Sequence, residues 1–410
     1  MKNKKLTISL ITFIAVSFLI KLIFIFKYNN SINLASDDLN YVKSAAVLIK
    51  NGVLTYANSN EPSVFVMPLY PYFLAGIFKI WGTGFTGLQA IRIIQALISC
   101  TTILTAYLTA KHLFNSKTAI ITAFIVAFYP PNIITTGYIL TETLFTAVLM
   151  LLIYLSLKFS ASPRYISFIL LGVIWTAATL IRPTIGLYPL LLFLYMLIYY
   201  KHKFFKLFKL GIVMLIPFLI IMTPWWVRNY NEFGRFIPLT ASTGNPTLQG
   251  TYIFYEQKPG ETDYYEPGKN ALETNEIETE LAKKRIKEGF KNNFFSYLGW
   301  YTIGKTAYMW GSPFYWQVYL GIPKILVIVI HALLLFGIIC IFTLFRKNFS
   351  RYMLPASTLL YFNIVHCLSM AFDRYAFPLM PIVSIFAAYF WYSVYNRVRG
   401  QSLQRLKNPV

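Results

Sequence analysis

The sequence predicts an all-α polytopic membrane protein, and three observations point to this fold class. Of the 410 residues, 57% are hydrophobic and only 13% are charged, so most of the chain cannot face water. Apolar stretches that can cross a hydrocarbon core about 30 Å thick recur along the chain. Basic residues punctuate these stretches instead of forming one soluble basic face, so the net charge of +22 reports topology and argues against nucleic-acid binding.

Ten segments are predicted to span the membrane, with both termini in the cytoplasm. Lysines precede the first segment, and no small-residue cleavage site is present, which indicates a retained signal-anchor. The predicted spans are 6–26, 86–110, 118–131, 138–157, 165–181, 184–200, 208–226, 322–345, 352–370 and 376–395.

The charged residues support this topology. Each predicted inner connection carries lysine or arginine, as the positive-inside rule requires. All 15 acidic residues fall on the predicted outer side, and a shift of one span would scatter them over both faces. They are Asp37, Asp38, Glu61, Glu142, Glu232, the cluster between Glu256 and Glu288, and Asp373.

An acidic pair, Asp37 and Asp38, opens the first outer loop. The following residues predict a helix over 37–51, with Ser36 as its N-cap and Gly52 just past its end. Lysines interrupt the apolar stripe of this helix, which suits a helix that lies along the membrane surface. The acidic pair is therefore predicted to lie at an outer membrane interface.

The chain divides into three parts. Residues 1–226 form an N-terminal transmembrane region whose first outer loop, 27–85, carries the acidic pair and a second short helix over 73–81 that cannot span the membrane. Residues 227–320 form an outer-face loop and an interfacial aromatic segment. Residues 321–410 form the C-terminal transmembrane helices and a basic cytoplasmic tail.

The order of several short motifs resembles that of the GT-C glycosyltransferases, in particular the protein O-mannosyltransferase and aminoarabinose transferase relatives (glycosyltransferase family 39-like). The resemblance covers roughly residues 1–395, and the weight rests on the motifs' order and common side. The motifs are Ser36-Asp37-Asp38, Pro68-Leu69-Tyr70-Pro71, Thr141-Glu142, the stretch from Pro224 to Tyr230 that leads into Gly244-Asn245, and Asp373-Arg374-Tyr375 with Pro378 and Pro381.

This resemblance implies a GT-C-like bundle of about ten or more transmembrane helices with interfacial helices and an outer-face loop region. It implies an inverting glycosyltransferase that moves a sugar from a polyprenyl-phosphate carrier, such as undecaprenyl phosphate, to a lipid, glycan or protein acceptor. The reaction would occur on the extracytoplasmic side of the plasma (inner) membrane, among the membrane lipids of the cell envelope.

The candidate catalytic residues are Asp37, Asp38 and Glu142. Following the family, Asp37 is favoured over Asp38 as the base, although both carboxylates could merely cap the helix. Glu142 could orient a hydroxyl group, or it could pair with an outer arginine. Related enzymes differ over metal use, so no cofactor is certain; if a divalent cation is used, these three carboxylates would be its ligands.

The candidate phosphate ligands are basic residues at predicted outer positions, because a guanidinium can hold two phosphate oxygens. Snorkelling is the alternative interpretation, and Asp373 could satisfy Arg374 locally. These residues are Arg182, Arg228, Arg374 and Lys305, with Arg92 as a further arginine inside a predicted span.

Four other residues are predicted to line the substrate or acceptor site: Tyr41, Tyr70, Asn245 and His366. Ordinary packing competes with this interpretation for the tyrosines, since the chain has 30 of them, and His366 could be a hydrogen-bonded helix histidine.

Two other functions stay open. A lipid-linked glycan flippase or transporter would place ionisable groups at mid-membrane depth and often shows repeats, whereas here the charges gather at one surface, apart from Arg92, and no repeat is evident. A surface-glycan polymerase or ligase would share the carrier and the membrane side.

Overall fold

A computed structural model of the protein describes residues 2–257 and 265–407, and the regular structure among them is helical, with no β-strand. Residues 258–264, which belong to the predicted acidic cluster, lie outside the described residues. The fold therefore confirms the all-α class predicted from composition and apolar periodicity.

The helices follow one another with short connections in the membrane part and longer ones on one face. Their bounds are α1 Lys2–Tyr28, α2 Asp37–Asn51, α3 Leu69–Trp81, α4 Phe85–Leu113, α5 Ser116–Phe128, α6 Pro130–Ile134, α7 Thr141–Ser160, α8 Tyr165–Ile181, α9 Tyr188–Ile198, α10 Phe204–Phe233, α11 Gly244–Gln249, α12 Ala271–Asn292, α13 Phe294–Gly299, α14 Lys305–Trp310, α15 Lys324–Leu368, α16 Asp373–Ala376 and α17 Met380–Lys407.

Six helical segments among the described residues are long and apolar enough to cross a membrane. They are Lys4–Ser31, Phe85–Leu113, Thr141–Ser160, Phe204–Phe233, Lys324–Leu344 and Asp373–Arg399. Three shorter apolar helical segments, Ser116–Phe128, Tyr165–Ile181 and Pro183–Ile198, coincide with other predicted spans. The predicted ten segments are thus helical, but only six reach spanning length by themselves.

Helix α15 contains two of the predicted spans and is not one straight rod. His331 and Asn363 would lie about 48 Å apart on a straight α-helix. Both nevertheless contact Trp310: its backbone oxygen lies 2.8 Å from His331 Nε2, and its indole Nε1 donates to Asn363 Oδ1 at 2.9 Å. The chain therefore reverses between these residues, so the two halves of α15 lie side by side, as two separate spans would.

The first outer loop has a core of its own. Residues from α1, α3 and the loop before α7 pack in it with no more than 2% exposure, including Phe24, Ile32, Tyr70 and Tyr138. Met222 of α10 also belongs to this core and is fully buried. This packing holds the start of α2 against one end of the bundle of membrane helices.

Helix α2 has the predicted bounds, but its start is built differently from the prediction. Gly52 ends the helix with φ of 70°, a left-handed conformation that glycine adopts without strain. The Ser36 side chain makes no capping hydrogen bond. Instead, the Asp38 carboxylate accepts hydrogen bonds from the backbone N–H groups of Leu34, at 2.7 Å, and Ser36, at 3.0 Å.

Candidate active site

Four charged side chains from distant parts of the chain meet at one end of the bundle. Arg374 Nη1 lies 2.7 Å from Asp37 Oδ2, and Arg374 Nε donates to Glu142 Oε1. Arg182 Nη2 lies 2.6 Å from the same Glu142 oxygen. The residues thus form one chain of ion pairs, Asp37–Arg374–Glu142–Arg182, which we call the charge cluster.

The position of each charge follows from the elements that carry it. Asp37 opens α2, Glu142 lies in the first turn of α7, Arg182 follows the last residue of α8, and Arg374 lies in α16. The acids thus sit at helix N-termini, where the helix dipole favours negative charge. The ends of four helices thus converge, and four sequence segments each supply one group to the charge cluster.

Glu142 is fully buried, and a buried carboxylate is costly unless it is paired. Two arginines supply that pairing, and Arg182 Nε additionally donates to Thr141 Oγ1 at 2.9 Å. The structure therefore shows Glu142 paired with two arginines. Two carboxylates and two guanidiniums leave the cluster neutral in this state.

Asp37 is the most exposed member of the cluster, with 39% of its side chain accessible. Its Oδ1 accepts a hydrogen bond of 2.8 Å from the Tyr56 hydroxyl. Burial, followed by neighbouring Tyr41 and Asp37, raises the pKa of Tyr56 above its usual value, so Tyr56 stays protonated and remains a donor. Both oxygens of Asp37 are therefore engaged, one by Tyr56 and one by Arg374.

A pocket of about 200 Å³ opens onto the cluster. Asp37, Arg182 and Arg374 supply its charged groups. Its other lining residues are mostly aromatic or carry hydroxyl groups: Tyr41, Tyr56, Phe65, Thr141, Thr240, Ser242 and Tyr375. A pocket with both kinds of wall can hold a polar ring against aromatic faces and an anionic group against the guanidiniums.

Asp38 lies apart from the charge cluster although it is adjacent to Asp37. It is buried, and its two oxygens accept the backbone hydrogen bonds of Leu34 and Ser36. Among the described residues, no group of three or more His, Cys, Asp or Glu could hold a metal ion. The three carboxylates therefore do not fit the proposed cation site as they stand, and the use of a divalent cation stays a prediction.

Two of the predicted phosphate ligands donate hydrogen bonds to backbone carbonyl groups in this structure. Arg228 donates from Nη1 to Ser63 O at 2.9 Å and from Nη2 to Leu54 O at 3.1 Å. Lys305 donates from Nζ to the carbonyls of Cys367, at 3.0 Å, and Ser369, at 2.6 Å. Burial lowers the pKa of Lys305 to about 7. A phosphate role for either residue stays a prediction.

The predicted lining residues are dispersed. Tyr41 lines the pocket beside Asp37, whereas Tyr70 is buried behind it and donates to Gln95 Oε1 at 2.8 Å. The His366 ring stacks on Tyr375, one of the pocket residues, at 4.4 Å. Asn245 lies in the outer region, where its Nδ2 donates to Glu278 Oε1 at 2.9 Å.

Asp373 was suggested as the local partner of the Arg374 guanidinium, but it binds the backbone of Arg374 instead. The Asp373 carboxylate accepts hydrogen bonds from Trp316 Nε1 at 2.9 Å, from Ser312 Oγ at 3.3 Å and from the Arg374 backbone N–H at 2.7 Å. The Arg374 guanidinium is directed to Asp37 and Glu142 instead. Asp373 therefore fixes the backbone at Arg374 and leaves its side chain for the cluster.

Sequence reasoning missed Tyr56 and Lys21. Nothing in the sequence distinguishes Tyr56 from the other tyrosines. Lys21 is buried in α1 and lines a small pocket of about 20 Å³ with Ser99, Thr102 and Asn132. The sequence could have drawn attention to Lys21, because it is an ionisable residue inside the predicted span 6–26.

Comparisons with known proteins agree with this architecture. Residues 61–227 match the family model described as dolichyl-phosphate-mannose-protein mannosyltransferase. This range includes Glu142 and Arg182 but not Asp37 or Arg374. No curated protein sequence matches the chain significantly.

The fold is similar to that of the oligosaccharyltransferase of the archaeon Archaeoglobus fulgidus. Its apo form has a TM-score of 0.57 and 14% identity, covering 98% of this chain and 52% of that chain. The same enzyme, AglB, in complex with an inhibitory peptide and a dolichol-phosphate gives 0.58 and 13%, with the same coverage. The chain thus spans about half the length of these structures.

ArnT from Cupriavidus metallidurans bound to undecaprenyl phosphate gives a TM-score of 0.43 and 14% identity, covering 92% of this chain and 77% of that chain. The family match and the oligosaccharyltransferase fold together confirm the architecture that the motifs predicted.

Proposed function

Starting from a chain with the fold of the GT-C membrane glycosyltransferases, we propose that it is an inverting glycosyltransferase with a polyprenyl-phosphate sugar as donor. Reaction would occur at the charge cluster, on the outer face of the membrane, and the acceptor would be a hydroxyl group of a glycan, lipid or protein. The family match over residues 61–227 supports the glycosyl-transfer class.

The observation that carries the proposal is the convergence of Asp37, Glu142, Arg182 and Arg374 in one charge cluster, three of whose members, Asp37, Arg182 and Arg374, line one pocket. A donor of this kind needs a group that takes the acceptor proton and cations that stabilise the leaving phosphate. The cluster offers both kinds of group within one hydrogen-bonded chain, beside a pocket with aromatic walls.

Donor binding would begin with an exchange of partners at Arg374. In the present state Arg374 holds Asp37 at 2.7 Å, and this ion pair occupies one carboxylate oxygen. A donor phosphate brings negative charge to a neutral cluster, so it competes with Asp37 for the Arg374 guanidinium. Once Arg374 contacts the phosphate, Asp37 Oδ2 is free to accept a proton, and binding thereby activates the base.

The chemical step then follows from the positions of these groups. The acceptor oxygen attacks the anomeric carbon while the bond from that carbon to the phosphate oxygen breaks. The acceptor proton passes to Asp37, and the released polyprenyl phosphate carries the electron pair and its charge to the arginines. A single attack from the face opposite the phosphate inverts the anomeric configuration. Tyr56 holds Asp37 Oδ1, which leaves Oδ2 as the reacting oxygen.

The flippase alternative finds little support in the described residues. Lys21 is an ionisable group inside a span, but its pocket measures only about 20 Å³, about the size of one water molecule. This pocket is too small to hold a sugar. A polymerase or ligase would use the same cluster with a larger donor, and only the chemistry of the transferred group separates it from the main proposal.

The proposal is tested with the purified full-length protein in lipid and a panel of radiolabelled polyprenyl-phosphate sugars. We expect at least one donor to release its carrier in the presence of a cell-envelope acceptor extract, with inverted configuration in the product. Arg374→Met should raise the donor KM, because the phosphate loses its main partner. Sugar movement across vesicles without carrier release would instead indicate a flippase.

A further inference from the structure

We infer that Arg92 is a positioning residue that fixes the separation between Asp37 and Glu142 from behind the pocket. This inference rests on the proposed function, because it assigns Arg92 a role in the geometry of that same site. It replaces the earlier interpretation of Arg92 as a phosphate ligand.

The side chain of Arg92 joins the two loops that carry the acids. Arg92 lies on α4 and is buried, with 4% exposure. Its Nε donates to Gly137 O at 3.1 Å, and its Nη2 donates to Ile32 O at 3.1 Å. Ile32 precedes Asp37 by five residues, and Gly137 precedes Glu142 by five residues. One guanidinium thus holds both loops, in each case five residues before a carboxylate of the charge cluster.

The two loops also touch each other at this point. A Cβ atom at Gly137 would lie 2.6 Å from the Phe24 ring and 3.0 Å from the Ile32 side chain, so only glycine allows the approach. Because the backbone there is closely packed, its carbonyl groups depend on Arg92 for hydrogen-bond donors. Arg92 therefore supplies hydrogen-bond donors to these buried carbonyl groups and also joins the two loops.

Short, pinned segments connect these carbonyls to the acids. Between Ile32 and Asp37, the Asp38 carboxylate binds the N–H groups of Leu34 and Ser36. On the Glu142 side, Thr143 Oγ1 in the first turn of α7 donates to Thr135 O at 3.3 Å, which ties the residues just before Gly137 to the start of α7. A displacement at Arg92 would consequently reach both acids instead of being absorbed by slack loops.

Gln95, one turn further along α4, reinforces the same loop. Its Nε2 donates to Thr136 O at 3.0 Å and to Tyr138 O at 2.8 Å, while its Oε1 accepts from Tyr70. The loop before α7 is thus held on both sides of Gly137, and Arg92 adds a hydrogen-bonded link from this loop to the loop before α2. Arg374 joins the two acids directly, and Arg92 joins the loops behind them, so the loss of Arg92 would remove the hydrogen-bonded support behind this pairing.

The kinetic test compares Arg92→Lys and Arg92→Met with Arg235→Met, a control in which an exposed arginine paired with Glu276 is lost. Lysine keeps the charge, but its side chain has a single nitrogen and cannot reproduce the fixed geometry in which two guanidinium nitrogens donate to two carbonyl groups. We expect kcat per folded protein to fall about 10- to 100-fold in both Arg92 variants, since small misplacements of reacting groups cost this much. The donor KM should stay within about twofold, and the control should match wild type.

Two kinetic outcomes would overturn the inference. Unchanged kcat per folded protein, with only a lower yield, would make Arg92 purely structural. A raised donor KM with unchanged kcat would make it a substrate ligand. If Arg92→Met does not fold, Arg92→Lys carries the same comparison.

A second measurement does not depend on sugar transfer. Asp37→Cys and Thr141→Cys place thiols on the two loops at the pocket, in a background whose native cysteines are replaced by alanine. We expect a short bifunctional thiol reagent to link them efficiently, and less efficiently when Arg92→Lys is added. Equal linking in both proteins would reject the inference even if wild type transfers sugar, and reduced linking would support it even if wild type transfers none.

Discussion

Asp37 and Asp38 are neighbours with different surroundings, and their substitution separates chemistry from folding. Asp37 is partly exposed and reaches the pocket, whereas Asp38 is buried against two backbone N–H groups. We expect Asp37→Asn to lower the transfer rate about 100- to 10,000-fold, the usual contribution of a general base. We expect Asp38→Asn to lower the free energy of unfolding by about 1–3 kcal/mol, since it weakens charge-assisted hydrogen bonds.

Initial rates with a labelled donor and thermal unfolding in detergent measure the two effects on the same preparations. Asp37→Asn should keep the wild-type unfolding temperature, and Asp38→Asn should keep the transfer rate within about tenfold once corrected for folded protein. The reverse pattern would exchange the roles of the two acids.

Tyr56 is expected to orient the reacting carboxylate. Its hydroxyl donates to Asp37 Oδ1 at 2.8 Å, and a hydrogen bond to a charged group contributes about 1.5–3 kcal/mol. Tyr56→Phe should therefore lower kcat by about tenfold or more with little change in unfolding temperature. Tyr72→Phe, at a tyrosine that is 54% exposed, is the matched control. Equal rates for both variants would show that Arg374 alone orients Asp37.

At single positions, the sequence identified the charged residues of the cluster but not the contacts between them. Asp37 and Glu142 stood out because acidic side chains are few and all belong to one predicted face. Tyr56 could not be singled out, since its role depends on a contact between residues 19 positions apart in an irregular loop. The direction of Arg374 was equally hidden, because Asp373 next to it offered a simpler pairing.

Among the elements, α10 is joined to the first outer loop by Arg228. Its guanidinium donates to two loop carbonyls and packs over the Trp225 ring at 5.3 Å. Arg228→Met leaves both carbonyls without these donors, so we expect a loss of about 2 kcal/mol in the free energy of unfolding. The donor KM should not change. Arg235→Met should cost less than about 1 kcal/mol, as for an exposed ion pair.

Thermal unfolding and donor titration distinguish this account from a phosphate role for Arg228. A raised donor KM with wild-type stability would restore Arg228 as a phosphate ligand.

Helix positions were predictable because apolar length and helix-end residues act locally. The predicted bounds of α2 rested on Ser36 and Gly52 and are correct although Ser36 makes no capping hydrogen bond, and the ten apolar segments are all helical. The packing of the two halves of α15 was not predictable. It depends on the contacts of His331 and Asn363 with Trp310, and no pattern in the sequence indicates these contacts. Periodicity locates a helix but does not specify its neighbours.

For the molecule as a whole, the segregation of acids to one face predicted a common site before any contact was known. Asp37 and Glu142 are 105 positions apart, yet Arg374 contacts both. The alternation of spans places their segments at the same membrane face, which is a necessary condition for this contact. The arginines lie at this same face, and if it is the outer one, as predicted, they depart from the usual bias of basic residues toward the cytoplasm.

The face itself is open to direct measurement. We expect a membrane-impermeant thiol reagent to label Asn58→Cys, in the exposed part of the loop that carries Asp37, in intact spheroplasts. Lys203→Cys, in the exposed connection before α10, should be labelled only after permeabilisation. Each cysteine serves as the other's control, because both side chains are accessible and differ only in the predicted compartment. The opposite pattern would place the charge cluster in the cytoplasm. Such a result would leave its contacts intact, but the donor and acceptor would then have to be cytoplasmic, which contradicts transfer at the outer face.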